Sequence, residues 1–194
     1  MNIPEHLAHL RVDRRGRPVP YIQLWTGEGT AAEWVIRDDP MVEGPAVFTR
    51  GQPGRGTPDF FHQAPQRQRR CMIERRCQIC EDRVPADDAL LLIGSVSGRR
   101  VDVEDFGQVV CFTEPWLCPA CAFFALTHCP GLIRRRRAEE LMLIRPVASV
   151  VLIRDYMWIE GRLERYSKAR KPVMWVKVAC PAFENVCKVP EVVG

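Results

Sequence analysis

An α+β fold is what this sequence predicts, and three observations predict it. Short apolar runs bounded by Gly, Pro and Asp recur along the chain, the pattern of strands between turns. Two segments, residues 66–76 and 122–126, instead carry helix-compatible sequence, the second closed by Cys129-Pro130-Gly131. Four cysteines fall in two tight pairs, Cys77-Gln78-Ile79-Cys80 and Cys118-Pro119-Ala120-Cys121, with residues 81–117 between them. A Cys-x-x-Cys turn presents two sulfurs to one ion, and two such turns supply the four thiolates of a closed tetrahedral zinc site. One structural Zn2+ per chain is therefore expected, held by Cys77, Cys80, Cys118 and Cys121. The competing reading is two unrelated turns carrying free thiols.

Composition bounds the rest. A chain of 194 residues that is 46% hydrophobic can bury a real core, and its 16 prolines and 13 glycines point to many loops. Net charge is +4, which permits contact with nucleic acid without requiring it. No apolar stretch approaches the ~18 residues of a membrane-spanning helix. The start, Met1-Asn2-Ile3-Pro4-Glu5-His6, lacks the plan of a secretion signal, so a cytoplasmic location without membrane contact is expected. In a reducing compartment nine cysteines read as metal ligands and buried thiols rather than disulfides.

Residues 1–63 read as an irregular region with short strands at Tyr21–Trp25, Trp34–Ile36 and Ala46–Phe48, packed by Trp25, Trp34 and Phe48. The Gly/Pro-rich run from Gly51 to Pro58 is an ordered or a mobile loop. Residues 64–145 form the metal-binding module. Its basic helix, 66–76, leads into the first cysteine pair, and Leu90–Ile93 and Gly107–Phe112 read as strands with a turn at Ser97-Gly98. The second pair opens the apolar helix 122–126, which Cys129-Pro130-Gly131 closes. Residues 146–194 read as a C-terminal β region packed on the rest. There Val147–Ile153 and Tyr156–Ile159 pair around Arg154-Asp155, and Val173–Val178 is a further strand beyond the polar loop 162–172.

The order of knuckle, hairpin and cysteine pair at a helix start resembles the treble-clef zinc finger. Arg76-Cys77-Gln78-Ile79-Cys80 resembles the knuckle of HNH-type nucleases, and Trp116-Leu117-Cys118-Pro119-Ala120-Cys121 the strand end and helix start that complete such a site. The resemblance covers roughly residues 70–130. It implies zinc binding through the four paired cysteines. HNH catalysis also needs a general-base histidine on the hairpin, and no histidine stands between Cys80 and Cys118. Asp102, Glu104, Asp105 and Glu114 are carboxylates without that imidazole. In its whole-chain style the sequence is also similar to uncharacterised proteins of actinobacteria and their phages, a likeness that carries no activity.

The remaining signal is charge. Arg67, Arg69, Arg70, Arg75 and Arg76 precede the first cysteine pair and could grip phosphates from one side of a helix. The bland alternative is a solvated face. Arg134–Arg137 cannot share one helix face, since successive residues turn by about 100°; they end a helix or pair with Glu139 and Glu140. Cys71, Cys111 and Cys129 read as small buried hydrophobes, although with His128 they are also spare metal ligands. His6, His9 and His62 read as polar surface, lacking partners at ligand spacing. The expected function is a zinc-stabilised non-enzymatic binding protein that contacts DNA or RNA through the five arginines. The alternatives are a module that binds an acidic protein partner, and an HNH-like metal-dependent nuclease with His62 or His128 as its base.

Overall fold

The computed structural model describes residues 3–94, 100–103, 107–137, 141–152, 156–159, 162–165 and 172–188. In chain order the strands and helices are β1 (Gln23–Trp25), β2 (Val35–Asp39), β3 (Gly44–Phe48), β4 (Pro58–Gln63), α1 (Pro65–Glu74), β5 (Leu91–Gly94), β6 (Arg100–Val103), β7 (Gly107–Phe112), α2 (Pro119–His128), α3 (Pro130–Arg137), β8 (Leu141–Leu152), β9 (Tyr156–Ile159), β10 (Arg162–Arg165) and β11 (Lys177–Lys188). The expected α+β character is present as helices beside small antiparallel sheets.

Each apolar run expected as a strand in the first third becomes one. β1 pairs with β4 and β2 with β3, both antiparallel. Trp25 is buried, whereas Trp34 and Phe48 are only half-buried. The run after Gly51 is closed onto the turn after β1 by backbone bonds, Thr26 N–H to Thr57 O at 2.9 Å and Gly27 N–H to Arg55 O at 3.0 Å. At Gly51 a Cβ would sit 2.0 Å from the Gly27 carbonyl oxygen, so the close approach demands glycine.

Helix α1 pins these pieces to the rest of the chain. Pro65 starts it at a position that needs no N–H, and Arg75 ends it in the left-handed region (φ 50°), donating its N–H to the Cys71 carbonyl. Consecutive residues point about 100° apart, so Arg67, Gln68 and Arg69 reach three different neighbours, and all three are buried. Gln68 donates its amide to the carbonyls of Thr113 (2.8 Å) and Val176 (2.7 Å) and accepts the Val176 N–H (3.1 Å). It thereby joins the end of β7 to the approach of β11. Gln68→Leu would leave these backbone groups unpaired in the interior. Its expected cost is about 2–4 kcal/mol, read as a shifted denaturant midpoint at unchanged slope.

The main sheet has five strands in the order β5-β8-β11-β7-β6, every neighbour antiparallel. Here the structure departs from the expected pairings. β5 and β7 lie in one sheet but are separated by β8 and β11, so the C-terminal strands enter the middle of the module's sheet. β8 pairs with β5 and β11, and β9 pairs with β10, in place of the expected 147–153 and 156–159 hairpin. The reason is burial. Flanked on both sides, β8 and β11 bury Leu143, Ile144, Leu152, Val178, Ala179 and Cys180, more apolar surface than a two-stranded hairpin could cover.

The expected strand at 173–178 begins only at Lys177. Val173 instead makes a single parallel bridge to Ala46, which ties the approach of β11 to β3. The expected boundary between residues 145 and 146 falls inside β8. Ser97, Gly98, Glu104, Asp105, Glu139, Glu140, Arg154 and Asp155 lie outside the described residues. Among those described, no helix is long and apolar enough to cross a membrane.

Candidate metal centre

The first cysteine pair sits in a turn that the backbone builds almost alone. Just past α1, the Cys77 N–H donates to Asp82 O (2.8 Å) and the Glu81 N–H to Cys77 O (3.0 Å). Glu81 takes the left-handed conformation, φ 69°, and its carboxylate is held by Arg70 at 2.7 Å. The second pair stands at a helix start. Cys118 is the N-cap of α2, Pro119 follows as its first residue, and Cys121 lies in the first turn. That position lends partial positive charge to the sulfurs and favours thiolate.

Three connections register the two pairs. Gln78 N–H donates to Trp116 O (2.8 Å), the Gln78 amide donates to Pro115 O (2.9 Å), and Leu90 and Leu117 exchange backbone bonds at 3.0 and 2.9 Å. The indole of Trp116, fully buried, donates to Met72 O at 3.2 Å and ties the same strand end to α1. The N-terminal region then covers the knuckle. Tyr21 and Ile22 donate N–H to Ile79 O (3.0 Å) and Gln78 O (3.2 Å), and His9 Nε2 lies 2.9 Å from Cys80 O, which requires the proton on Nε2.

The four cysteines expected to act together lie together. Their Sγ atoms are all within 4.8 Å of one another, with Cys77, Cys80 and Cys121 buried and Cys118 half-buried. Cys80 and Cys118 Sγ are 3.9 Å apart, far beyond a disulfide bond. It matches the roughly 3.8 Å edge of a tetrahedron with metal–sulfur bonds of about 2.3 Å. Cys118 is held well below the ordinary thiol range because Cys121, Cys77 and Cys80 donate S–H to its sulfur, and Cys121 is correspondingly pushed up. A divalent ion among the four sulfurs would replace their protons and permit four thiolates. The donor set fits one metal ion.

The spare ligands are placed elsewhere. Cys71 is buried, with its sulfur 3.9 Å from the Cys77 carbonyl, and Cys111 and Cys180 are buried as well. Burial pushes the thiols of Cys111 and Cys180 up to about 11 and about 12. Cys129, expected to be buried, is exposed, because it forms the C-cap of α2. His128 stacks on Phe124 at 4.5 Å, its Nδ1 2.7 Å from Thr127 Oγ1.

The arginines of α1 are not one phosphate-facing row, and here the expectation is corrected for two of them. Arg67 is 6% exposed and Arg69 0%. Arg67 holds Glu28 with both terminal nitrogens (2.8 and 2.7 Å), and Glu28 also accepts the Thr49 hydroxyl (3.1 Å) and the Trp25 N–H (2.9 Å). Arg69 donates twice to Asp39 Oδ2 (3.0 and 2.9 Å) and to the carbonyls of Val47, Val173 and Met174 (2.8, 3.3 and 3.3 Å). Burial lowers the pKa of the Arg69 guanidinium, and the bond and charge of Asp39 offset part of that. The other three lie nearer the surface but have partners: Arg70 pairs with Glu81 and Glu74, Arg76 with Glu74, and Arg75 lies 5.5 Å over the Trp116 ring.

Sequence reading missed His9, Glu28 and Asp39. Glu28 and Asp39 lie 39 and 30 residues from their arginines, beyond the reach of any local spacing rule. It also missed that His62, for which no carboxylate was expected, bonds Asp59 at 2.8 Å on the exposed edge of β4. No protein-family model, no curated protein and no solved structure matches this chain.

Proposed function

We propose that this chain is a zinc-stabilised, non-enzymatic binding protein whose partner is nucleic acid. The observation that carries the reading is the closed cysteine set, four sulfurs within 4.8 Å on two rigid turns. A catalytic zinc keeps one position for water or substrate, whereas four thiolates fill all four, which is the pattern of a structural ion. Soft thiolates at tetrahedral spacing suit zinc. The treble-clef likeness of the knuckle and of the helix start supports the same reading, and the net charge of +4 supports a polyanionic partner. With Arg67 and Arg69 given to the core, the cations for that partner have to come from elsewhere on the surface.

Elemental analysis of the purified chain tests the metal, and the ratio of absorbance at 260 and 280 nm on the same sample tests the partner. One zinc per chain is expected, with a 260 nm excess that high salt removes. Folded protein free of zinc overturns the reading. His9→Ala, which removes the bond to the Cys80 carbonyl, is expected to speed zinc loss to a chelator by up to about tenfold without changing the stoichiometry.

A further inference from the structure

A cleft of about 650 Å³ opens beside the metal-binding module, within the range of about 300–1,000 Å³ usual for ligand sites. Its lining includes Phe60 and Phe61 of β4, Arg134 and Arg135 of α3, and the hydrogen-bonded pair Gln63 and Glu114. Phe61 is 95% exposed and Phe60 49%. Two adjacent phenylalanines left in water cost hydrophobic free energy that folding has not recovered.

They are held there by construction. In the β1–β4 pair Gln23 faces Gln63 and Leu24 faces Asp59, so Phe60, Phe61 and His62 bulge out opposite a single step of β1. Asp59 accepts the Phe61 N–H at 3.0 Å and holds His62 at 2.8 Å. The buried side-chain amide of Gln23 closes the base of the bulge, donating to Asp59 O and to His62 O (2.7 Å). A fixed, outward aromatic is thus built into the cleft wall.

The cleft's arginines differ from those of α1. Among the described residues, neither the Arg134 nor the Arg135 side chain makes a hydrogen bond or ion pair, and both are exposed, with Arg135 near enough to act on Glu114 electrostatically. Glu114 is exposed at the cleft, yet the surrounding protein desolvates its carboxyl enough to push it above the usual range, which the Gln63 amide (2.6 Å) and Arg135 partly offset. It is a hydrogen-bond acceptor beside a stacking surface.

We infer that this cleft binds single-stranded nucleic acid, with a base stacked on Phe61, its exocyclic amine directed to Glu114 and the flanking phosphates held by Arg134 and Arg135. Stacking surfaces joined to a cationic groove are how single strands are held, and a carboxylate accepts from base amino groups. A duplex, with its bases paired and stacked, cannot offer a base to Phe61. This assignment rests on the nucleic-acid reading above and moves the contact surface from α1 to the cleft.

Fluorescence anisotropy with a short labelled oligonucleotide of mixed sequence, as single-stranded DNA, single-stranded RNA and duplex DNA, tests it on the full zinc-loaded chain. Single strands should bind more tightly than the duplex. Phe61→Ala, a substitution in solvent that leaves the melting curve unchanged, should weaken single-strand binding roughly tenfold. Arg134→Ala with Arg135→Ala should flatten the log–log salt dependence by about 1.4, near 0.7 for each lost phosphate contact. Arg14→Ala with Arg15→Ala removes the same charge from an exposed turn and should leave the slope as it was. If the wild-type chain binds and Phe61→Ala binds equally well, the cleft assignment is overturned while the nucleic-acid reading stands. If the wild-type chain binds no oligonucleotide at low salt, both fall. Equal binding of polyglutamate, independent of Phe61, overturns both in favour of an acidic protein partner.

Discussion

Cys77→Ser with Cys118→Ser is expected to abolish metal binding at the four-cysteine site and, with it, the cooperative unfolding transition. The two substitutions take one thiolate from each turn, so neither half can hold the ion alone. Structural zinc sites contribute apparent free energies of about 10–16 kcal/mol, as large as the whole stability of a typical domain, about 5–15 kcal/mol. The loss is not local. The knuckle carries backbone bonds from Tyr21 and Ile22 and the bond from His9, and Gln78 reaches to Trp116 and Pro115. Releasing the ion therefore loosens the N-terminal cover and the registration of α2 together. Thermal melts followed by circular dichroism, with and without chelator, should show the wild type losing its sigmoidal transition on chelation and the variant lacking it from the start. A variant that melts at the wild-type temperature, indifferent to chelator, would show that the cysteines are ordinary buried thiols.

Arg69→Met is the second large effect, with an expected loss of about 3–5 kcal/mol. The substitution keeps the volume of the aliphatic stem but strands the Asp39 carboxylate, 6% exposed, and withdraws a donor shared by Val47, Val173 and Met174. Those carbonyls belong to β3 and to the segment before β11, so one guanidinium joins parts of the chain 104 and 105 residues from it to its neighbours on α1. Adding Asp39→Asn to Arg69→Met should restore part of the stability, because it removes the uncompensated charge. The coupling in that double-mutant cycle is the measurement. A buried pair is also little screened, so the loss should persist at high salt. Oligonucleotide binding lost in Arg69→Met thus reports unfolding, which is why cleft residues, not α1 arginines, are the probes of binding.

The cysteine site was legible in the sequence because its information is local. Two residues between cysteines make a turn, and a proline after Cys118 marks a helix start, whatever the rest of the chain does. Two of the helices, α1 and α2, were legible as local segments, opened in the structure by Pro65 and Pro119. Helix α3 was not expected, because Cys129-Pro130-Gly131 reads as a helix end and instead starts one. Apolar runs located most strands but not their partners. An antiparallel ladder accepts any strand of suitable pattern, and β8 and β11 displaced the nearer pairings by burying more surface.

By itself, then, the sequence determined which four cysteines come together in a set that could hold one metal ion and that the chain mixes helices with short strands. Tertiary structure alone decided what the charges and aromatics are for. Arg67 and Arg69 look the same in sequence as Arg134 and Arg135, yet the first two sit in the core with carboxylates and the second two face a cleft. Phe61 carries no signal of its own in the sequence, and a bulge that Gln23 and Asp59 hold open extrudes it. The physical reason is range. A turn or a cap is settled by atoms a few residues apart, whereas a guanidinium or a phenyl ring takes its role from a partner tens of residues away.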